Sequence, residues 1–296
     1  MHSQLNDWFT ANQRLLPWRG ADPWAVMVSE FMLQQTPVNR VLPVWQEWLE
    51  RWPTPAALAA DPAAEAIRAW GRLGYPRRAL RLHDSARIIT AEHGGRVPDD
   101  YASLRALPGV GDYTAAAILS FAFGQRHVVL DTNVRRVFAR AVLGQENCQN
   151  SPSAAERELA AELLPAQDAH VWAAATMELG AVICTARNPA CERCPISEVC
   201  RWFSLGRPAN GSRRLSQAYE GTDRQVRGLI LGALRDNLDA GGDGVLSRSE
   251  LVGMCPDAGQ ATRALDSLLQ DSLVHSAPSK DGGPVCIRLG PAPPGR

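Results

Sequence analysis

The stretch "LPGVGDYTAAAILSFAF" (residues 107–123) decides how the chain is read. Gly109 and Gly111 stand two residues apart, just before a run whose apolar residues recur every three to four positions. The spacing predicts a tight turn whose backbone N–H groups point outward at the start of a helix from Asp112. Such a turn binds anions through backbone donors and the positive end of the helix dipole, without reading a sequence. A simple helix-start turn is the plainer alternative. Tyr113 falls in the first turn of that helix.

Outward from this stretch, residues 24–182 carry the same helical period, in "WAVMVSEFMLQQ", "AIRAWGRL", "VRRVFARAVL" and "VWAAATMELGAVI", punctuated by Pro and Gly. This part is expected to be all-α. Residues 206–222, rich in Gly, Ser and Pro, read as a linker. Beyond them, "DRQVRGLILGALRDNL", "SRSELVGM" (opened by Ser247 or Ser249) and "AGQATRALDSLLQDS" predict three helices, and "PVCIRLG" a strand. Three helices and a terminal hairpin together suggest a small α/β, winged-helix-like module over 223–296. The chain has 296 residues, 45% of them hydrophobic, and a formal net charge of zero. No apolar run approaches a membrane span and the N-terminus has no signal-peptide pattern, so a cytoplasmic protein is expected. The charge is uneven, however. Arg68, Arg72, Arg77, Arg78, Arg81, Arg87 and Arg96 face only Glu65, Asp84 and Glu92 in that segment. This basic stretch can neutralise phosphates or can simply be a solvated helix face. Lys280 is the only lysine in the chain.

Cys184, Cys191, Cys194 and Cys200 form a C-x6-C-x2-C-x5-C set, while Cys148, Cys255 and Cys286 are scattered. In a large core-rich chain the set points to a metal rather than to disulfides. A zinc ribbon pairs two C-x2-C knuckles, and only one tight pair exists here. One compact loop of four thiolates suits a [4Fe–4S] cluster, with zinc as the alternative.

Together, the cysteine spacing, "LPGVGDYTAAAIL" and "VVLDTNVRRV" resemble the endonuclease III superfamily of DNA glycosylases. "SEFMLQQT" is similar to its MutY adenine-glycosylase branch. The resemblance covers roughly residues 5–205, with the motifs in the family's order. It implies a mainly α protein: a six-helix helix-hairpin-helix domain (22–125), and an iron–sulfur cluster domain (1–21 and 126–205) holding a [4Fe–4S] cluster on the four cysteines. DNA would lie across the cleft between the two. Leu107, Gly109, Val110 and Gly111 would clamp a DNA phosphate.

Asp131 would be the catalytic carboxylate, oriented by Asn133, in a position that also suits a helix cap. Read alone, Glu30 is a solvent-facing helix residue; the resemblance places it in the base pocket as a general acid, with Trp18, Arg19, Leu33 and Glu178 around the base. Adenine leaves poorly as an anion, so one carboxyl must hold a proton while a second stays ionised near the sugar. Gln34, Gln35, Thr36, Leu73 and Tyr75 match residues that fill the gap left by an extruded nucleotide. Two departures stand out. Pro76 follows Tyr75 where many relatives have a second tyrosine, and 223–296 lacks the pattern of the nucleotide-hydrolase-like domain many relatives use to recognise 8-oxoguanine.

The resemblance therefore implies a monomeric enzyme, nucleoid-associated through DNA, acting on duplexes with adenine opposite 8-oxoguanine or guanine. Two other readings compete: a bifunctional glycosylase/lyase, and a non-catalytic iron–sulfur DNA sensor. Lyase relatives place a lysine where this chain has Tyr113, which would hydrogen-bond Asp131 or the sugar phosphate beside the site but cannot form an imine, and the one lysine lies far away in sequence. Retention of both Glu30 and Asp131 disfavours the sensor.

Overall fold

The computed structural model describes residues 1–149, 151–209, 219–278 and 285–293. Lys280 and much of the expected linker lie outside them. The described chain is mainly helical, with one small sheet near its C-terminus. No described helix is long and apolar enough to cross a membrane. The chain divides into two units, Met1–Glu30 with Pro98–Ala106 and Val110–Arg214, and Phe31–Val97 with Leu107–Gly109 and Leu215–Arg296.

In the first unit the N-terminal helix His2–Asn12 buries Leu5 and Phe9 with Val134, Val137 and Phe138 of the helix Thr132–Phe138. Trp172, Ala175 and Leu179 of the helix Ala169–Val182 complete that core. The Thr132–Phe138 helix continues into a π-helical turn, Ala139–Leu143, which buries Arg140. Such wide turns often mark functional positions in helices.

The second unit contains the helices Val38–Arg51, Pro55–Ala60, Ala63–Trp70 and Arg77–Glu92. Trp48, Trp52 and Trp70 meet edge to face in its core, with ring centroids 4.6 and 5.7 Å apart. The C-terminal module belongs to the same unit. Its element order is helix Asp223–Asp239, strand Val245–Ser247, helices Arg248–Gly253 and Ala258–Gln270, then strands Val274–Ala277 and Cys286–Leu289. The last strand pairs antiparallel with both others, which is the expected winged-helix-like pattern. Ser247 opens its helix with a reciprocal Ser247–Glu250 capping box. The strand Val245–Ser247 was not foreseen, because three residues are too few to show an alternation. Arg68 binds Asp239 at 2.6 Å and Arg77 approaches Asp271 at 3.4 Å, tying the module to the helices of 31–97. Gly290 fits tightly beside Ala64 at φ +86°; a Cβ there would stand 2.8 Å from that of Ala64.

Candidate active site and cluster loop

The turn read first lies between the helices Tyr101–Ala106 and Asp112–Phe123. Gly109 is needed twice over. Its φ is +83°, and a Cβ would lie 2.9 Å from both Arg81 Cβ and Phe31 Cε1. Gly111 differs: it caps the next helix in an extended conformation with open space beside it. Among the described residues no side-chain hydrogen bond caps that helix, so no capping group covers the positive end of its dipole. Leu107 and Val110 bury their side chains, which leaves the backbone as the turn's outward face.

Glu30 lies in the helix Pro23–Leu33 and is 6% exposed, so its reading as a solvent-facing residue was misleading. Burial lifts its carboxyl from the ordinary 4.5 to about 7, and the nearby Asp131 charge raises it too, against a hydrogen bond with Tyr113 that pulls it down. Tyr113 is held well above its ordinary range, first by burial and then by the Glu30 and Asp131 charges. The phenol is therefore a neutral hydrogen-bonding partner. Its bond is with Glu30, whereas the sequence suggested Asp131 or a phosphate.

Asp131 caps the helix Thr132–Phe138. Its Oδ1 accepts from the Val134 N–H at 2.7 Å, and its Oδ2 accepts from Asn133 Nδ2 at 2.7 Å. Burial raises its carboxyl, while these bonds and the Arg136 charge oppose the rise. The two neighbouring carboxyls are thus treated differently. Burial raises both, but Asp131 has the Val134 and Asn133 donors and the Arg136 charge to favour its anion, against the single Tyr113 bond for Glu30, so Glu30 is the better placed of the two to carry a proton.

Sequence reasoning missed the support behind Asn133. Arg136 donates to Asn133 Oδ1 at 2.7 Å, to the Gly180 carbonyl at 2.6 Å and to the Cys184 carbonyl at 2.7 Å. A hydrogen-bond chain thus runs from the first cysteine of the loop to Asp131. Gly180 completes the fit, since a Cβ there would stand 2.7 Å from Asn133 Cβ. The only hint in the sequence was the 3.6-residue spacing that puts Asn133 and Arg136 on one helix face. Gly180→Ala should displace Asn133 and lower the single-turnover rate, with a stability loss of about 1–3 kcal/mol readable in a thermal melt.

Glu178 is 1% exposed and both its oxygens are engaged. Arg14 binds it bidentately at 2.7 and 2.8 Å, and Arg19 at 2.8 Å. Although burial pushes Glu178 upward, the Arg14 bonds and the Arg19 charge bring it below the usual carboxylate range. Arg19 also lies over the Phe9 ring at 4.9 Å. This network fixes residues 13–19, including buried Trp18, and Arg14 is a member the sequence did not reveal. Leu33 follows Glu30 by three positions on its helix and so shares its face.

The second unit gathers the other expected residues around Arg78, which is buried. Arg78 donates to the carbonyls of Phe31, Met32, Gln34 and Gly74 and to Thr36 Oγ1, at 2.6–3.0 Å. Thr36 Oγ1 in turn donates to the Leu73 carbonyl at 3.1 Å. The segments 34–36 and 73–75 are therefore held in one register. Gln35 and Tyr75 both adopt left-handed backbone, at φ +56° and +48°, while Leu73 is buried and Tyr75 exposed.

Cys184, Cys191, Cys194 and Cys200 all carry free thiols and ring one cavity with Arg140, Ile183, Pro189, Ser197, Trp202 and Phe203. Burial pushes the Cys194 thiol up to about 11, and the other three sulfurs add to the rise. Four crowded thiols, Cys191 buried and the other three half-buried, need a cationic centre to become thiolates. Among the described residues no three metal-binding side chains converge on a single ion. A ring of sulfurs around a cavity fits a cluster, where each thiolate binds a separate iron, better than a lone zinc. Arg140 donates to Cys184 Sγ at 3.4 Å and to the Thr185 carbonyl at 2.8 Å, and stacks on Trp202 at 4.6 Å.

A buried, protonatable carboxyl beside a capped carboxylate, a glycine turn opening a helix and a four-cysteine loop are what a DNA glycosylase with an iron–sulfur cluster requires. Residues 28–166 match the HhH-GPD superfamily base excision DNA repair protein family, and residues 184–200, from the first cysteine to the last, match the iron–sulfur binding domain of endonuclease III. An adenine DNA glycosylase of Mycolicibacterium smegmatis is 50% identical over 276 residues, covering 92% of each chain. A thermostable thymine-DNA glycosylase of known structure superposes with a TM-score of 0.63 at 29% identity, over 69% of this chain and 94% of that one. A non-covalent endonuclease III–DNA complex shares the fold, with a TM-score of 0.59 at 24% identity over 69% of this chain and 94% of that one. The chain belongs to the adenine DNA glycosylase family of the helix-hairpin-helix base-excision repair enzymes, and its cofactor is the [4Fe–4S] cluster.

Proposed function

We propose that the protein is a monofunctional glycosylase that removes adenine paired with 8-oxoguanine or guanine. The observation that carries this reading is the pairing of buried Glu30, held near pH 7, with donor-supplied Asp131. Glu30 protonates a purine ring nitrogen, so that the electron pair of the C1′–N bond leaves with neutral adenine. Positive charge then develops on the deoxyribose, and Asp131 stabilises it while Asn133 keeps that carboxylate oriented. Water completes the hydrolysis. Tyr113 keeps Glu30 in place through its neutral hydroxyl.

The 107–111 turn holds a phosphate through its backbone. Trp18, Arg19, Leu33 and Glu178 shape the base pocket, and Gln34, Gln35, Thr36, Leu73 and Tyr75 engage the opened duplex. In this reading 22–125 and 1–21 with 126–205 act as the two DNA-gripping domains, joined through 206–222 to the 223–296 module. The enzyme works as a monomer at the nucleoid. When bound, the cluster shapes the loop through its four thiolates and leaves the bond-breaking chemistry to side chains. Arg136, holding the Cys184 carbonyl, carries that shape to Asn133.

Single-turnover adenine release from duplexes with A opposite 8-oxoguanine, G and T tests the reading. Release should be fast for the first two and negligible for the third; equal rates, or none, would reject it. A lyase needs an amine for a Schiff base, and Tyr113 occupies the position where lyase relatives carry one. Borohydride should therefore trap no appreciable covalent enzyme–DNA product, and efficient trapping would overturn the monofunctional assignment.

A further inference from the structure

The C-terminal module places a cation against the residue expected to enter the duplex. Arg224, second in the helix Asp223–Asp239, holds its guanidinium 4.3 Å from the Tyr75 ring centroid and 5.8 Å from that of Tyr219. Arg78 lies 5.5 Å from the Tyr75 ring and 5.1 Å from Trp70. The result is an alternating stack, Trp70–Arg78–Tyr75–Arg224–Tyr219, in which the first arginine is buried and the second exposed.

Among the described residues the exposed arginine has no acidic partner. Among the described residues, Arg227, Arg248 and Arg263 of the module each pair with Asp271, Asp266 or Asp223, whereas Arg224 has no carboxylate within 4.0 Å. Its sequence neighbour Asp223 is engaged by Gln260 at 3.0 Å and by Arg263 at 3.9 Å. Exposed Arg72 and Arg77 add positive charge nearby in the same unit, with Arg77 partly offset by Asp271. A guanidinium held by its face against a ring can still offer the N–H donors at its edges, the groups that bind a phosphate bidentately.

We propose that Arg224 contacts a DNA phosphate beside Tyr75, making the C-terminal module part of the DNA-binding surface. The inference rests on the reading that Tyr75 engages the opened duplex. It gives the module a role without a basic face: one preorganised cation at the lesion rather than a charged clamp.

The test is equilibrium binding of the full-length holoenzyme to a duplex with a tetrahydrofuran abasic analogue opposite G or 8-oxoguanine, between about 50 and 200 mM salt. Thermal melting checks that each variant folds. Arg224→Ala should weaken binding about tenfold and make the log–log salt slope shallower by about 0.9, equally for both opposite bases. Arg224→Lys should keep the slope with weaker binding, and Arg263→Ala, elsewhere on the module, should change little. Unchanged affinity and slope in Arg224→Ala would overturn the proposal. So would an equal loss in Arg263→Ala, or a loss confined to one opposite base at unchanged slope, which would mean a base-edge contact. Tyr75→Ala separates the two levels. If it is impaired and Arg224→Ala is not, only the Arg224 contact fails; if Tyr75→Ala is indistinguishable from wild type, the Tyr75 reading fails.

Discussion

Glu30→Gln is expected to cut single-turnover adenine release by about a hundred- to ten-thousandfold, because it removes the proposed general acid while keeping its shape. The same change should stabilise the fold at alkaline pH. The folded state raises the Glu30 carboxyl from 4.5 to about 7, so it binds this proton more tightly than the unfolded chain does. The resulting stability is fully present below pH 4.5 and is lost as pH rises through 7. Above that, the wild-type fold carries a buried carboxylate at a cost on the order of 3 kcal/mol. Glutamine never carries that charge. Its melting temperature should therefore exceed that of wild type at alkaline pH, with the advantage gone at acid pH. Full activity in Glu30→Gln, or an advantage independent of pH, would contradict the role assigned to this side chain.

Asp131→Asn should slow release by about a hundred- to thousandfold, with the opposite effect on stability. Asparagine caps a helix about as well as aspartate, so the bond from the Val134 N–H can persist. Its amide NH2 would, however, face the Asn133 NH2, which now donates to Asp131 Oδ2. Asn133 cannot simply turn over, because its Oδ1 accepts from Arg136. A modest fall in melting temperature is expected beside the large loss of rate. A rate loss accompanied by wholesale unfolding would mean that Asp131 acts mainly as a cap.

These contrasts show what could be read from the chain directly. The hairpin was legible because Pro108, Gly109 and Gly111 punctuate a helical period, and backbone punctuation is local. The cysteine loop was legible for the same reason, since its four ligands lie within seventeen residues. The polar supports were not. Arg136, Arg14 and Arg78 are ordinary basic residues in helical or loop text. Their importance arises from carbonyls and carboxylates that are brought to them from 48, 164 and up to 47 positions away. Gly180 reads as a weak point in a helix and is in fact the gap that admits Asn133. Glu30 shows the limit most clearly: a carboxylate between Ser29 and Phe31 reads as a surface residue until the fold encloses it.

The central claim is that adenine leaves with a proton from Glu30 while Asp131 stays ionised. The most direct test is the pH dependence of single-turnover adenine release from an A:8-oxoguanine duplex by the wild-type enzyme. The predicted profile has an acid limb as Asp131 takes up a proton and an alkaline limb with its midpoint near pH 7 as Glu30 loses one. A rate constant that stays level between about pH 6 and 9 would contradict it.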